Sequence, residues 1–148
     1  MVKLLGVGVL CLLVSCGSPS GTLDDLNLRT VTLPDGTKIK SEVMIRPEDM
    51  ARGMMFRDSL APDRGMLFIH PEPAKNPYWM FQCKIALDIM WLDASKRLVE
   101  MSPDTPPCPG PPETCPNYGG NQVSSYVLEM AAGSIARHKL KLGDRIDF

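Results

Sequence analysis

Hydrophobic and polar positions alternate along this chain in short stretches, a pattern typical of β-strands. Residues 28–33 and 37–45 alternate in this way, with Pro34-Asp35-Gly36 between them. Proline presets φ and glycine accepts a positive φ, so this tripeptide favours a turn and the two stretches predict a hairpin. In residues 85–92 both alternating sets are apolar apart from Asp88. That stretch predicts a strand buried on both faces.

The remaining stretches predict a mainly β fold with little helix. A helix of about two turns should begin near Pro47, because proline suits the first helical position and acidic residues follow it. A second short helix is predicted over 133–140, and the seven prolines of residues 103–116 predict a long ordered loop. Further short strands are predicted over 66–69, 97–101, 125–131 and 145–148. This spacing is typical of a compact antiparallel β-sandwich or small barrel with one or two short helices.

The N-terminal residues follow a different pattern. Lys3 precedes an apolar run over residues 4–14, which is too short to cross a bilayer, since that needs about 20 residues. A positively charged N-terminal region, a short apolar run and small residues before a cleavage site predict a signal peptide. The ending Leu13-Val14-Ser15-Cys16 resembles a bacterial lipobox, which implies cleavage before Cys16 and lipid attachment to it. The alternative is an ordinary signal peptide with an accidental cysteine.

These features predict a signal peptide over 1–15, a flexible tether over 16–27 and one domain over 28–148. The membrane, reached through the lipid, is the first expected partner. The residue after Cys16 is Gly17, and not the aspartate that usually retains a lipoprotein in the inner membrane. In a host with two membranes we therefore expect the outer membrane, at its periplasmic face or surface. In any other host we expect the outer face of the cytoplasmic membrane.

Composition narrows the class of protein. The 148 residues carry a net charge of −1 and are 44% hydrophobic, which suits one globular domain with a buried core. No basic patch with interleaved aromatic residues is present, so nucleic acid is not an expected partner. We predict a monomer without a cofactor or a metal. A glycan, a small molecule or an envelope protein remains as the expected ligand.

Three cysteines remain after the signal peptide and Cys16. Cys108 and Cys115 flank a segment rich in turn residues, and disulfides persist outside the cytosol, so this pair is predicted to form one. The alternative is two independent thiols. Zinc is disfavoured because the spacing is long and no histidine lies nearby. Cys83 is either buried and inert or reactive, and its apolar neighbours favour burial.

An ordered set of motifs across residues 28–148 is similar to the DUF192 family. The motifs are Arg52-Gly53-Met54-Met55-Phe56-Arg57, Gly65-Met66-Leu67-Phe68, Trp79-Met80, Leu87-Asp88, Pro107-Cys108, Tyr126-Val127-Leu128-Glu129 and Gly143-Asp144. The resemblance implies a compact β-sandwich that is often exported, and no activity. The chain departs from the family pattern after Met80, where a Lys-Asn-Thr run is replaced by Phe81-Gln82-Cys83 and a later proline by Ala86. If the family's basic residue contacts a ligand, this chain has lost that contact.

Five residues are the candidate ligand-binding set. Asp88 lies in an apolar strand and must find a donor or lose its charge. We expect either an ion pair with Arg57, bonds to loop amides, or a ligand-facing carboxylate. Trp79 and Met80 either stack on a flat ligand or belong to the core. Glu129 is the only evident second carboxylate in an apolar strand.

These residues support three functions. The first is a non-catalytic binding or accessory domain with a cleft among Arg57, Trp79, Met80 and Asp88. The second is an envelope enzyme acting on glycans through Asp88 and Glu129, since such hydrolysis usually needs two carboxyl groups. The third is Cu(I) handling through clustered methionines. Methionine is also a common core residue, so at least three sulfurs would have to converge. No catalytic residue is assigned.

Overall fold

The computed structural model describes residues 27–148. The predicted signal peptide, the lipidation site Cys16 and all of the tether before residue 27 lie outside the described residues. Within the described part of the chain, no helix is long and apolar enough to cross a membrane.

The fold is mainly β, with one six-stranded sheet, one two-stranded sheet and two short α-helices. The strands are β1 (Leu28–Thr32), β2 (Lys38–Met44), β3 (Arg64–Lys75), β4 (Tyr78–Trp79), β5 (Leu87–Leu92), β6 (Leu98–Thr105), β7 (Asn117–Tyr118) and β8 (Val123–Ala131). The helices are α1 (Pro47–Arg52) and α2 (Ser134–Arg137), and a 3-10 turn spans Pro112–Thr114.

The large sheet has the order β1-β2-β3-β8-β5-β6, and β4 pairs with β7 in the small sheet. Most pairs are antiparallel, but β2 and β3 are parallel. Parallel neighbours require a crossover connection, and the segment containing α1 supplies it. The mainly β fold with two short helices is as predicted; the large sheet is mixed and does not close into a barrel.

Several predicted elements are confirmed. The hairpin of β1 and β2 turns through residues 33–37, where the amide of Gly36 donates to the carbonyl of Leu33 at 2.9 Å. All six residues of β5 are buried, because β5 lies between β6 and β8 and is covered on both faces. Helix α1 begins at Pro47 with acidic residues in its first turn.

Other predicted bounds are wrong, for identifiable reasons. Strand β3 continues past Ile69 to Lys75 through a register shift that accommodates two prolines. Strand β6 includes Pro103, which an edge strand tolerates because one side of its ladder is unpaired. Residues 145–148 form only isolated bridges, from Arg145 to Arg97 and from Asp147 to Thr32.

The large sheet buries a hydrophobic cluster on each face. One face, here called the cavity face because the cavity described below lies on it, packs against Met54, Met66, Phe68, Met80, Cys83, Leu87, Ile89, Trp91 and Val127. The opposite face carries Val31, Leu33, Ile39, Leu67, Met90, Leu92, Leu98, Leu128, Met130, Ile135, Leu140 and Ile146. Adjacent residues of β5 and β8 alternate between these clusters, as the period of two requires.

Candidate functional site

Glu129 is a buried acid in the middle of β8. In the strand register it stands beside Met66 of β3 and Ile89 of β5, so its side chain lies on the cavity face. It is only 4% exposed, and its Oε2 atom has no hydrogen-bond partner among residues 27–148. A buried polar atom without a partner costs about 1–3 kcal/mol. Such an atom in a folded protein requires an explanation.

A loop of residues 53–57, here called the covering loop, follows α1 and contributes Gly53, Met54 and Met55 to the wall of a cavity that Glu129 also lines. Gly53 caps the C-terminus of helix α1, and its φ of +44° is rarely adopted by other residues. A side chain at this position would also approach the Phe68 ring at 3.4 Å. The chain then turns again at Phe56, which has a φ of +65°. This backbone places Met54 in the core and leaves Phe56 51% exposed.

The covering loop is attached to a second loop and, through it, to the disulfide. The amide of Phe56 donates to the carbonyl of Gln82 at 2.9 Å, and the amide of Gln82 donates to the carbonyl of Cys108 at 3.1 Å. The sulfurs of Cys108 and Cys115 are bonded at 2.06 Å, as predicted. Gln82 also has a positive φ, +54°. Two non-glycine residues in this sparsely populated region flank the same site, as is common where backbone strain serves a function.

These loops enclose a cavity of about 30 Å³ that reaches Glu129, which is enough room for a water-sized group. Four aromatic side chains line the cavity together with the acid: Phe68, Tyr78, Trp79 and Phe81. Trp79, 40% exposed, and Phe81 stand 5.1 Å apart between ring centroids and are here called the aromatic rim. The cavity therefore combines one acid with mostly apolar walls.

Burial changes the titration of the groups around this cavity. Desolvation raises the pKa of Glu129 to about 8, and the positive charge of Arg57 opposes that rise. Burial, with a smaller contribution from Glu129, raises the pKa of Cys83 to about 11. The same two causes raise the pKa of Tyr78 well above its usual value. At pH 7 the Glu129 carboxyl group is mostly protonated, and its two neighbours are neutral.

Arg57 pairs with Glu42 and not with Asp88. Its two terminal nitrogens donate to the two Glu42 carboxylate oxygens at 2.6 and 2.7 Å, the bidentate geometry that suits guanidinium and carboxylate. The bond to Glu42 raises the pKa of Arg57. Glu42 occupies the same cross-strand row as Met66 and Glu129. The predicted Arg57–Asp88 pair is therefore wrong.

The Arg57–Glu42 pair forms part of the wall of a wider cleft of about 350 Å³, a size typical of small-molecule sites. This cleft shares Arg52, Gly53 and Met55 with the small cavity. The covering loop therefore borders both spaces, the wide cleft on one side and the Glu129 cavity on the other.

Asp88 is fully buried on the opposite face of the sheet, beside Met130. Its carboxylate accepts backbone amide bonds from Asp104 at 2.8 Å, Gly133 at 3.3 Å and Ile135 at 2.6 Å. Of the predicted alternatives, bonding to backbone amides is the one that holds, although only Gly133 lies in a loop and the other donors belong to β6 and α2. Because Asp88 and Glu129 point to opposite faces, they cannot act together on one bond. The predicted use of Asp88 and Glu129 as a pair for glycan hydrolysis is therefore wrong.

The remaining candidates separate into rim and core. Trp79 lies on the rim, whereas Met80 is fully buried and contributes to packing. Cys83 is 7% exposed, as its apolar neighbours predicted. Within residues 27–148, no group of three or more His, Cys, Asp or Glu side chains is placed to hold a metal ion.

Sequence reasoning missed two participants. Glu42 lies in the alternating stretch 37–45 with no predicted role, and it pairs with Arg57 in the fold in which β2 runs parallel to β3. Phe68 was assigned to a buried strand with no role at a site. The alternation in residues 125–131 could have placed Glu129 on the face of Val127, but no sequence signal predicts that its oxygen lacks a partner.

The DUF192 family model, described as "Uncharacterized ACR", matches residues 30–148. A protein of unknown function from Novosphingobium aromaticivorans DSM 12444 is 27% identical, with a TM-score of 0.70 over 82% of this chain and 85% of its own. A protein from Sinorhizobium meliloti 1021 described as a "putative transcription regulator" is 25% identical, with a TM-score of 0.67 over 80% of this chain and 89% of its own. No curated protein matches the chain.

Proposed function

This chain belongs to the DUF192 family, and we propose that it is a non-catalytic binding domain for a small molecule. Its site is the cavity at Glu129, framed by the covering loop and the aromatic rim. The domain is exported and held at the cell-envelope membrane by a lipid on Cys16. In this arrangement the tether lets the cavity sample ligands close to the membrane.

One observation carries the binding proposal: Glu129 Oε2 is buried without a partner among residues 27–148, and Glu129 lines the small cavity. An apolar pocket with a few convergent polar groups is the usual form of a small-molecule site. A perturbed pKa in a cleft supports the same interpretation. The unsatisfied oxygen supplies a bond that a ligand can complete.

Binding is favoured over catalysis because the acid acts alone. The nearest other carboxylate on this face, Glu42, is held by both nitrogens of Arg57. Cys83, the one thiol at the cavity, has a raised pKa and so little of the thiolate that a nucleophile needs. General acid–base and nucleophilic mechanisms both require a second positioned group.

Fragment screening by amide NMR of the mature protein tests the binding proposal. Compounds that bind should shift the amide signals of the covering loop and of residues 80–83. Glu129→Gln should abolish these shifts or reverse the order of the compounds' affinities. Glu72→Gln, at an exposed position of β3, is the matched control. Hits that cluster elsewhere, or that ignore Glu129→Gln, would contradict the proposed site.

The lipid anchor has a separate test. Intact mass spectrometry of the membrane fraction should show a mature chain that begins at Cys16 and carries acyl chains. Cys16→Ser should release the protein into the soluble fraction. An unmodified Cys16 in a soluble wild-type protein would remove the anchor and leave the binding site untouched.

Cu(I) handling is a second candidate, favoured by one observation. The cluster on the cavity face gathers five methionines and a free thiol: Met44, Met50, Met54, Met66, Met80 and Cys83. Soft sulfur ligands suit Cu(I). Native mass spectrometry should then show one copper per chain, lost on Met→Leu substitution within this cluster. A bare mass in the presence of Cu(I) would remove this candidate.

A further inference from the structure

We infer that the Glu129 cavity takes the ammonium head of a small organic amine, with the carboxylate as its counter-charge and the aromatic side chains as its walls. This inference rests on the proposed function and names the ligand class. It comes from one juxtaposition: an unpartnered carboxyl oxygen and four aromatic rings around a space of about 30 Å³.

The size of the cavity limits what can enter. A space of about 30 Å³ holds a group as large as one or two water molecules, which favours a small head group over a sugar ring. An ammonium group has this size and carries three donors and no acceptor. The remainder of the amine would extend outwards along Trp79 and Phe81, whose side chains form the aromatic rim.

The chemistry of the walls selects a cation. An ionised carboxylate only accepts hydrogen bonds, so a ligand that binds the carboxylate form of Glu129 must donate. Aromatic rings attract cations through the negative charge of their faces, and this attraction is strongest in a desolvated site. An anion would face the carboxylate directly, and Arg57 is occupied by Glu42. Arg52 is the one cationic side chain among the residues that line the cavity.

Apart from Arg52, which lines the cavity, the protein's own donors around Glu129 are engaged or neutral. From β4, the Tyr78 hydroxyl lies 3.1 Å from Nε2 of His70 and shares a hydrogen bond with it. From the covering loop, Arg57 donates to Glu42 of β2. Among the cavity-lining residues of the 80–83 segment, Cys83 has the one donor group, its thiol. Arg52, at the end of α1, also lies at the cavity wall. None of these groups is bonded to Glu129 Oε2, so the bond is left for a ligand.

Proton release follows from this arrangement. The free carboxyl group is protonated below its raised pKa of about 8, whereas the bound form is the carboxylate. Binding of an ammonium ion therefore releases one proton from Glu129 to solvent, and no other bond is made or broken. Below pH 8 the affinity should rise about tenfold for each pH unit, and it should level off above that pH.

Titration calorimetry with n-butylammonium chloride tests the inference, with 1-butanol as the neutral probe of equal length and sodium chloride as the ionic-strength control. At pH 6.5, two buffers of different ionisation enthalpy should report about one proton released per butylammonium bound. At pH 9.5 they should report almost none. Butanol should bind at least tenfold more weakly than butylammonium at pH 8.5 and release no proton.

Two variants keep the test independent of folding. Glu129→Gln should lower butylammonium affinity at least tenfold and remove its pH dependence, while Glu72→Gln should change neither. Phe81→Lys places an internal ammonium group at the cavity wall and should compete with the ligand, also lowering affinity at least tenfold. Unchanged thermal unfolding midpoints would show that each variant is folded.

The outcomes separate this inference from the proposed function. Equal binding of butanol and butylammonium at the cavity, without proton release, would overturn the cation assignment and leave a binding site. Failure of both compounds and of the wider fragment screen would overturn both proposals. Tight, pH-dependent butylammonium binding that survives Glu129→Gln would place the cation elsewhere and overturn the inference.

Discussion

Asp88 and Glu129 are buried acids on the neighbouring strands β5 and β8, and their surroundings differ in kind. Asp88 is fully buried and accepts three backbone amide bonds on the opposite face. Glu129 is 4% exposed on the cavity face and has one oxygen without a partner among the described residues. Burial is thus nearly equal, whereas hydrogen bonding is complete for one acid and incomplete for the other.

Burial alone therefore does not distinguish a structural acid from a ligand-binding one. Asp88 connects β5 to the β6 end at Asp104 and to the start of α2 at Ile135, so its role is to hold segments together. Glu129 connects nothing on its unpaired side and faces a cavity. Counting the donors around each acid separates these roles.

The largest predicted effect is on stability at Asp88. Asp88→Ala leaves three amides without their acceptor, and each buried unsatisfied group costs about 1–3 kcal/mol. We expect a loss of about 3–5 kcal/mol in the free energy of unfolding, measured by urea denaturation. Asp63→Ala, at an exposed position before β3, should cost less than about 0.5 kcal/mol. A loss below about 1 kcal/mol for Asp88→Ala would refute its structural role.

The second prediction concerns the pH dependence of stability at Glu129. Its folded-state pKa of about 8 lies above the usual 4.5, so the folded protein holds a proton that the unfolded chain has lost. The contribution of Glu129 to stability should therefore be fully present below pH 4.5 and be lost as pH rises towards 8, by up to about 1.4 kcal/mol per pH unit. Glu129→Gln should remove this fall. Urea denaturation from pH 5 to 9 measures both slopes, and parallel slopes would contradict the assignment.

The third prediction removes the cation whose charge lowers the pKa of Glu129. The charge of Arg57 lowers the pKa of Glu129 and so opposes the effect of burial. Arg57→Met should raise that pKa further, by about one unit, as measured by carboxyl NMR. Lys84→Met, which breaks the exposed Lys84–Asp58 pair, should leave it unchanged. A fall in the pKa after Arg57→Met would contradict the account.

The smallest predicted effect is at Ser41, whose Oγ is the other buried side-chain atom without a partner in the described chain. Ser41 lines none of the cavities described above, so its unpaired hydroxyl only costs energy. Ser41→Ala should change the free energy of unfolding by less than about 1 kcal/mol, in the stabilising direction. It should leave ligand binding unaltered, and a loss of binding would show that an unpaired atom away from the cavity also matters.

Local elements followed from the sequence because their causes are local. The Pro34-Asp35-Gly36 turn, the doubly buried β5 and the cysteine pair each depend on residues close together in the chain. The parallel pairing of β2 with β3 did not follow, because antiparallel and parallel partners share the same alternation. Pro103 was expected to end β6, but its place at the sheet edge makes it harmless.

The site could be predicted from the sequence only in part, because the partners of its side chains depend on the register between strands that are distant in the chain. Arg57 was recognised as a cation in need of a carboxylate, yet Glu42 reaches it through a strand pairing that the sequence does not reveal. Glu129 was recognised as an acid in an apolar strand. Its pairing with Asp88 failed because a one-residue offset between paired strands reverses the face. The cavity itself arises from loops that meet in space.

The most direct measurement is a carboxyl carbon NMR titration of Glu129 in the mature protein, assigned by comparison with Glu129→Gln. The account predicts a midpoint near pH 8 that moves to lower pH when n-butylammonium is added. A midpoint near the ordinary value of 4.5, unmoved by butylammonium, would show that Glu129 is satisfied and solvated, and would contradict its role as the centre of the site.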